Sequence, residues 1–156
     1  MKQRRNFLLG AITLASVMLF SAPAFATPAC GQGAINEAGS VYIEHDGDCV
    51  INGGINADWD VTVKATGAIT VTGSITSGGQ VYLESQGGNL STDAITATSG
   101  AIYIYSAGDL TTGALDSDFE TALFPNGNLT INGAATFAYG FTADNSVGNV
   151  HITGAL

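Results

Sequence analysis

Positive charge is what this sequence has least of. Only four of its 156 residues are lysine or arginine, and three of these lie within the first five positions. After residue 26, thirteen acidic residues stand against one base, Lys64, which gives a formal net charge of −12. Such a chain repels phosphate backbones and anionic lipid head groups, so the composition argues against nucleic-acid binding and membrane-surface binding.

Residues that carry out catalysis are also scarce. The sequence has two cysteines, too few for a structural zinc site, and its two histidines, His45 and His151, are too far apart in the sequence to be expected in one site. It contains no serine, histidine and aspartate pattern of a hydrolase, no phosphate-binding glycine loop and no CxxC pair. We therefore expect neither an enzyme nor a bound cofactor.

Acidic clusters at EHDGDC, NADWD and DSDFE keep two alternatives open. Polysaccharide-cleaving β-helix enzymes use paired carboxylates, sometimes with calcium, although solvated corners of a solenoid explain the clusters more simply. The candidate calcium ligands are Asp46, Asp48, Asp58 and Asp60.

The first 26 residues have the form of a signal peptide. MKQRR is a basic head, FLLGAITLASVMLF is apolar, and Ala24-Phe25-Ala26 is a small-residue cleavage site. We expect export, by the general or the twin-arginine route, and a secreted protein in the extracellular space or on the cell surface. Disulfides persist in exported chains, so a bridge between Cys30 and Cys49 is expected.

A period of about 20 residues organises the rest of the chain. Aliphatic residues recur in two columns whose members are 20 or 21 positions apart, and glycines keep the same step. The first column is Val41, Val61, Val81 and Ile102, and the second is Ile55, Ile75, Ile95 and Leu115.

Three short alternating segments in each period, separated by glycine corners, predict a β-solenoid whose coils stack about 4.8 Å apart. The predicted fold is an all-β, right-handed parallel β-helix of about five coils. Residues 27–38 form an amino-terminal partial coil and residues 39–156 form the solenoid. Cys30 lies about one period before Cys49, which places the two cysteines within disulfide distance on neighbouring coils.

The same register predicts the outward side chains. Lys64 should lie between Glu44 and Glu84, and tyrosines should share one exposed face. Those tyrosines are Tyr42, Tyr82 and Tyr103. A step of 20 also predicts an outward polar ladder of Asn52, Thr72, Thr92 and Thr112.

The period lengthens once, after Ile102. Leu129 with Ile131, and Val150 with Ile152, are interpreted as continuing the first column after intervals of 27 and 21 residues. The longer interval predicts a loop inserted at residues 116–126. Its aromatic group either folds over the last coils or makes a lateral contact between subunits. The candidate lateral residues are Phe119, Leu123, Phe124 and Tyr139.

The stretch VTVKATGAITVTGSITSGGQVYLES resembles the haemagglutinin-type repeats of filamentous adhesins and autotransporter passenger domains. The resemblance covers residues 39–156 and implies a right-handed β-helix, but it does not imply an activity. Those families build a long rod from one chain. A rod built from about five coils would need many copies of this one.

The two ends suggest how copies would join. On this interpretation Val150–Ile152 is a first segment, and the partial coil near Cys30 supplies a second and a third. A tail and a neighbour's head then complete one coil and generate a filament. The predicted self-assembly residues are Ile35, Val41, Val150, Ile152 and Leu156. The predicted function is a structural subunit of an extracellular fibre, such as a biofilm matrix, whose partner is the protein itself. The alternative is a small adhesin or carbohydrate-binding module that binds glycan on its tyrosine face.

Overall fold

The computed structural model describes residues 28–144 and 148–156, so the predicted signal peptide lies outside the described residues. The alternation of apolar and small polar residues produces short strands of three to six residues. Buried and exposed residues alternate along most of them, as a period of two requires.

The strands form three parallel sheets that follow one another around each coil. The first sheet contains β2 (Val41–His45), β5 (Val61–Ala65), β8 (Val81–Ser85), β11 (Ile102–Ser106), β14 (Glu120–Pro125) and β17 (Gly140–Ala143). The second contains β3 (Cys49–Ile51), β6 (Ile69–Val71), β9 (Leu90–Thr92), β12 (Leu110–Thr112), β15 (Leu129–Ile131) and β18 (Val150–Ile152). The third contains β1 (Ile35–Glu37), β4 (Ile55–Ala57), β7 (Ile75–Ser77), β10 (Ile95–Ala97), β13 (Leu115–Ser117) and β16 (Ala135–Phe137).

Each strand pairs in parallel with the strand one coil later. Val41 lies opposite Val61, and Val61 lies opposite Val81, as the period predicts. This arrangement confirms an all-β parallel β-solenoid with coils of about 20 residues. Each sheet has six strands, so the solenoid has about six coils where the sequence predicted about five.

The core consists of aliphatic ladders along the solenoid axis. Residues at the same place in successive coils stack on one another, and each is shielded by the coils on either side. In the third sheet the ladder contains Ile55, Ile75, Ile95 and Leu115, all at most 1 % exposed. The apolar contacts between coils are therefore the main source of stability.

Polar side chains join successive coils at the corners. The Ser85 hydroxyl lies 2.8 Å from the Gly67 and Gly88 carbonyls, to which it can donate. Asp48 Oδ1 accepts a hydrogen bond from the Ala68 N–H at 2.8 Å, and Asn89 accepts one from Asp109 N–H in the same way. These bonds satisfy backbone groups that leave the ladder at a bend.

The predicted disulfide is present. Cys30 and Cys49 are joined, with their Cα atoms 5.0 Å apart. Cys49 is fully buried in the first coil. The bond therefore ties the amino-terminal partial coil to the first complete one.

The predicted loop at 116–126 is wrong, because most of this range is strand. Residues 120–125 form β14, in which Thr121 lies opposite Ile102 and Leu123 lies opposite Ile104. Leu129 pairs with Leu110 in the second sheet, so the prediction that it continues the first column is wrong. The interval of 27 residues was counted between strands of two different sheets. In the first sheet, Ile102 and its partner Thr121 are 19 positions apart, so this coil is one residue shorter than the 20-residue repeat.

The predicted outward threonine ladder is also wrong. Asn52 and Thr72 are exposed, but Thr92 and Thr112 are buried and continue the inward column of Ile51 and Val71. The register shifts because 21 residues separate Ile69 from its partner Leu90, where a step of 20 was assumed.

Candidate functional site

The amino-terminal end presents a partial coil. Gly31 N–H donates to the Val50 carbonyl at 2.7 Å, and Gln32 accepts from Asn52 N–H at 2.8 Å, so this segment extends the second sheet. Strand β1 then begins the third sheet. In the first sheet the edge strand at this end is β2. The head therefore supplies second-sheet and third-sheet segments, as predicted.

The carboxy-terminal end differs from the prediction. Val150 pairs with Leu129, so β18 belongs to the second sheet, and β17 supplies the first-sheet segment of the same coil. Ala135 N–H donates to the Ala155 carbonyl at 2.9 Å, which brings the chain to the third-sheet position at Leu156. The prediction that the two ends are complementary halves is wrong, because both supply a second-sheet segment.

The predicted assembly residues differ in exposure. Ile35 and Val41 are buried core residues of the first coils. Val150 and Leu156 are 51 % and 68 % exposed, and Ile152 is half-buried against the core. Among the predicted assembly residues, the exposed ones thus lie at the carboxy-terminal end.

The predicted lateral residues do not form one surface. Leu123 is fully buried in the core, which excludes it from any contact between subunits. Phe124 stacks on Tyr105 on the first sheet, with ring centroids 4.7 Å apart. Phe119 stacks on Tyr139 at a corner, with centroids 5.3 Å apart.

The outer face of the first sheet carries both charges and rings. Lys64 lies between Glu44 and Glu84 as predicted, with its Nζ 3.8 Å from Glu84 and 5.2 Å from the centroid of the Tyr82 ring. The register also brings Tyr105 beside Glu84, a neighbour that sequence reasoning missed.

The tyrosine hydroxyls on this face donate to nearby carboxylates. Burial, together with the hydrogen bond and the charge of Glu84, raises the pKa of Tyr82 to about 12. A hydrogen bond to Glu44 raises the pKa of Tyr42. The bond from Tyr103 to Glu120 has the same effect on the pKa of Tyr103. These tyrosines stay neutral at physiological pH and act as hydrogen-bond donors.

A groove of about 430 Å³ lies at the corner between the third and first sheets. We call it the corner groove. Its lining includes Asp60, Gln80, Tyr103, Phe119, Glu120 and Tyr139. It combines aromatic rings with carboxylates, a mixture typical of sites that bind small polar molecules.

The four calcium candidates do not form a site. Asp46 accepts a hydrogen bond from the Thr66 hydroxyl at 2.8 Å, and Asp48 is bonded to Ala68 N–H. Asp58 and Asp60 lie at a different corner of the solenoid. Within residues 28–144 and 148–156, no three His, Cys, Asp or Glu side chains are grouped to hold a metal ion.

No helix in the described part of the chain is long and apolar enough to cross a membrane. No protein-family model matches the sequence, and no curated protein or solved structure matches it either.

Proposed function

We propose that this protein is a secreted structural subunit whose copies join head to tail into an extracellular fibre. The observation that carries the proposal is the pair of open ends. Among the described residues, nothing pairs with the outer edges of β2 and β1 at one end or of β17 and β18 at the other. Such edges are templates for further strands, and the two ends share one parallel three-sheet cross-section.

The overlap in the second sheet decides how two copies can fit. A neighbour turned by one sheet would follow the tail directly, but it would place five-residue β2 in the third sheet, above Ala155, where the last strand has three residues. Two unpaired residues, about 6.6 Å of strand, would remain at that junction. A neighbour that keeps its sheets aligned instead needs the position that β18 occupies.

The aligned arrangement requires that β18 leave its place together with residues 153–156, because Ala155 accepts a hydrogen bond from Ala135 of β16. The neighbour's residues 30–32 would then pair with β15, its β1 with β16, and its β2 with β17. The disulfide holds the neighbour's partial coil in position, whereas β18 pairs through only three residues and is largely exposed. We therefore propose that β18 is the segment displaced when the fibre grows.

Electron microscopy of the mature protein tests the assembly. We expect unbranched fibres whose axial repeat is six coils, about 29 Å per copy. Because every copy carries the same negative charge, assembly should be faster at higher salt. A protein that stays monomeric at high concentration and high salt would overturn the proposed function.

A disulfide that holds β18 in place distinguishes two modes of assembly, one in which β18 is displaced and one in which intact copies stack. Leu129 and Val150 are register partners, so Leu129→Cys with Val150→Cys bridges neighbouring coils as Cys30 and Cys49 do. The oxidised variant should form no fibres. The control, Leu129→Ala with Val150→Ala, has a similar cavity but no bridge and should form them. Reductant is omitted because it would open the native bond. Fibres from both variants would rule out displacement and leave stacking intact.

The leader sequence supports the secreted location, and the valine and glycine columns support a relation to haemagglutinin-type repeats. We propose both on those grounds, together with a scaffolding role in a biofilm matrix or surface filament. Loss of fibres from the cell exterior after removal of residues 1–26 would test the location.

A further inference from the structure

One corner of the solenoid carries a column of large and small side chains. Gly79 N–H donates to the Trp59 carbonyl at 3.1 Å, and Tyr139 N–H donates to the Phe119 carbonyl at 3.3 Å. Between these pairs the corner holds only Ser99 and Gly100. Trp59 and Phe119 are three coils apart, about 14 Å along the axis. The corner groove opens between them, next to Phe119.

The floor of the groove is bare backbone. A Cβ atom at Gly79 would collide with the Asp60 carboxylate, and one at Gly100 would collide with the backbone of Gly79 and Gln80. Gly100 is therefore required by the close approach of successive backbones, whereas a side chain at Gly79 would have to displace the Asp60 carboxylate. Because these glycines have no side chain, a ligand in the groove can contact the main chain directly.

One wall of the corner groove is aromatic and accessible. Phe119 and Tyr139 stack with their rings 23° from parallel, and they remain 48 % and 78 % exposed. A ligand with an apolar face that covers such exposed rings removes apolar surface from water, which favours binding. The C–H face of a pyranose ring is such a surface, and its hydroxyls suit the polar side chains nearby.

The polar groups of the groove favour a positively charged ligand. Asp60 Oδ1 accepts a hydrogen bond from Gln80 N–H at 2.8 Å, and Glu120 accepts one from the Tyr103 hydroxyl. Neither carboxylate forms an ion pair within the described residues, where the one basic side chain, Lys64, pairs with Glu84. Two carboxylates beside aromatic rings attract a cation and repel a uronic acid or a sulfated sugar.

We propose that the corner groove binds a cationic saccharide, a chain of amino sugars with free amines. The pyranose would cover Phe119 and Tyr139, and its ammonium groups would meet Asp60 and Glu120. Tyr139 directly precedes the edge strand β17, but the other lining residues lie on earlier coils, so binding does not require fibre formation. In a fibre it would recur along one edge and link the protein to a polysaccharide.

Calorimetric titration with a hexamer of β-1,4-linked glucosamine tests the proposal. The locked variant described above is used so that the protein stays monomeric, and wild type is used if that variant also assembles. We expect saturable binding that weakens as salt is added. The fully N-acetylated hexamer should bind at least tenfold more weakly, because it has lost its charge. An oligogalacturonate should not bind.

Two substitutions have a matched control in the same chain. Tyr139→Ala and Glu120→Gln should each weaken binding about tenfold or more. Glu44 accepts a hydrogen bond from Tyr42 away from the groove, as Glu120 does from Tyr103, so Tyr42→Ala and Glu44→Gln should leave the affinity unchanged. Absence of binding, equal affinity for the acetylated hexamer, or equal losses in both pairs would overturn the proposal.

Discussion

The first and last coils each end their second-sheet strand with an isoleucine and bury it differently. Ile51 in β3 is fully buried, whereas Ile152 in β18 is only half-buried. Beneath Ile51 lies the partial coil, whose Gln32 carbonyl accepts the Asn52 N–H and whose cysteine is bonded to Cys49. Over Ile152 the described residues place no further strand. In a solenoid, a residue is buried by the adjacent coils, so equal side chains need not contribute equally.

The largest effect we predict tests this difference within one inward column. Ile51→Ala should lower the free energy of unfolding by about 3–4 kcal/mol, because it leaves a cavity between two covered coils. Ile152→Ala should cost about 1 kcal/mol or less, because water already reaches that side chain. Denaturant unfolding of the monomer measures both. Equal costs would mean that the last coil is covered as well as the first.

The second prediction concerns the disulfide that ties the partial coil to the first complete coil. Replacing both cysteines, Cys30→Ser with Cys49→Ser, should cost about 3 kcal/mol, since the bond closes a loop with a sequence separation of 19. Amide exchange at Gly31 and Asn52 should then become as fast as exchange in β18. Protection that survives the substitution would show that the backbone bonds alone hold the partial coil.

The fold was largely predictable because the first four coils repeat with little variation. Val41, Val61 and Val81 each begin a strand in the same position, and the cysteine spacing agreed with that register. The fifth coil was misread because Thr121 replaces the usual aliphatic residue at the start of β14. A threonine fits either face of a strand, so pattern alone could not assign it.

The candidate sites were less predictable because they depend on alignment between coils. A single added residue before Leu90 moved Thr92 from the outer face to the interior. The corner groove arises where Gly79 and Gly100 precede the aromatic coils of Phe119 and Tyr139, and no local motif marks that coincidence. Phe119 and Tyr139 were predicted as residues of a lateral contact, and Glu120 was noted only as part of the acidic cluster DSDFE.

The smallest effect that we predict concerns a buried threonine midway between the two ends, whose replacement should raise the free energy of unfolding. Thr92 and Thr112 occupy neighbouring coils and are both buried, at 5 % and 0 % exposure. The Thr112 hydroxyl lies 2.7 Å from the Gly113 carbonyl and can donate to it, whereas the Thr92 hydroxyl has no hydrogen-bond partner among the described residues. A buried hydroxyl without a partner is a net cost, so Thr92→Val should raise the free energy of unfolding by about 1 kcal/mol.

Thr112→Val is the matched control, since it makes the same change where the hydroxyl is bonded and should lower stability by about 1 kcal/mol. Thermal unfolding of the two variants should therefore shift in opposite directions from wild type. Two losses of equal size would show that the Thr92 hydroxyl is satisfied in solution. Opposite shifts would show that the interior, like the ends, is stabilised by what neighbouring groups supply and not by residue type.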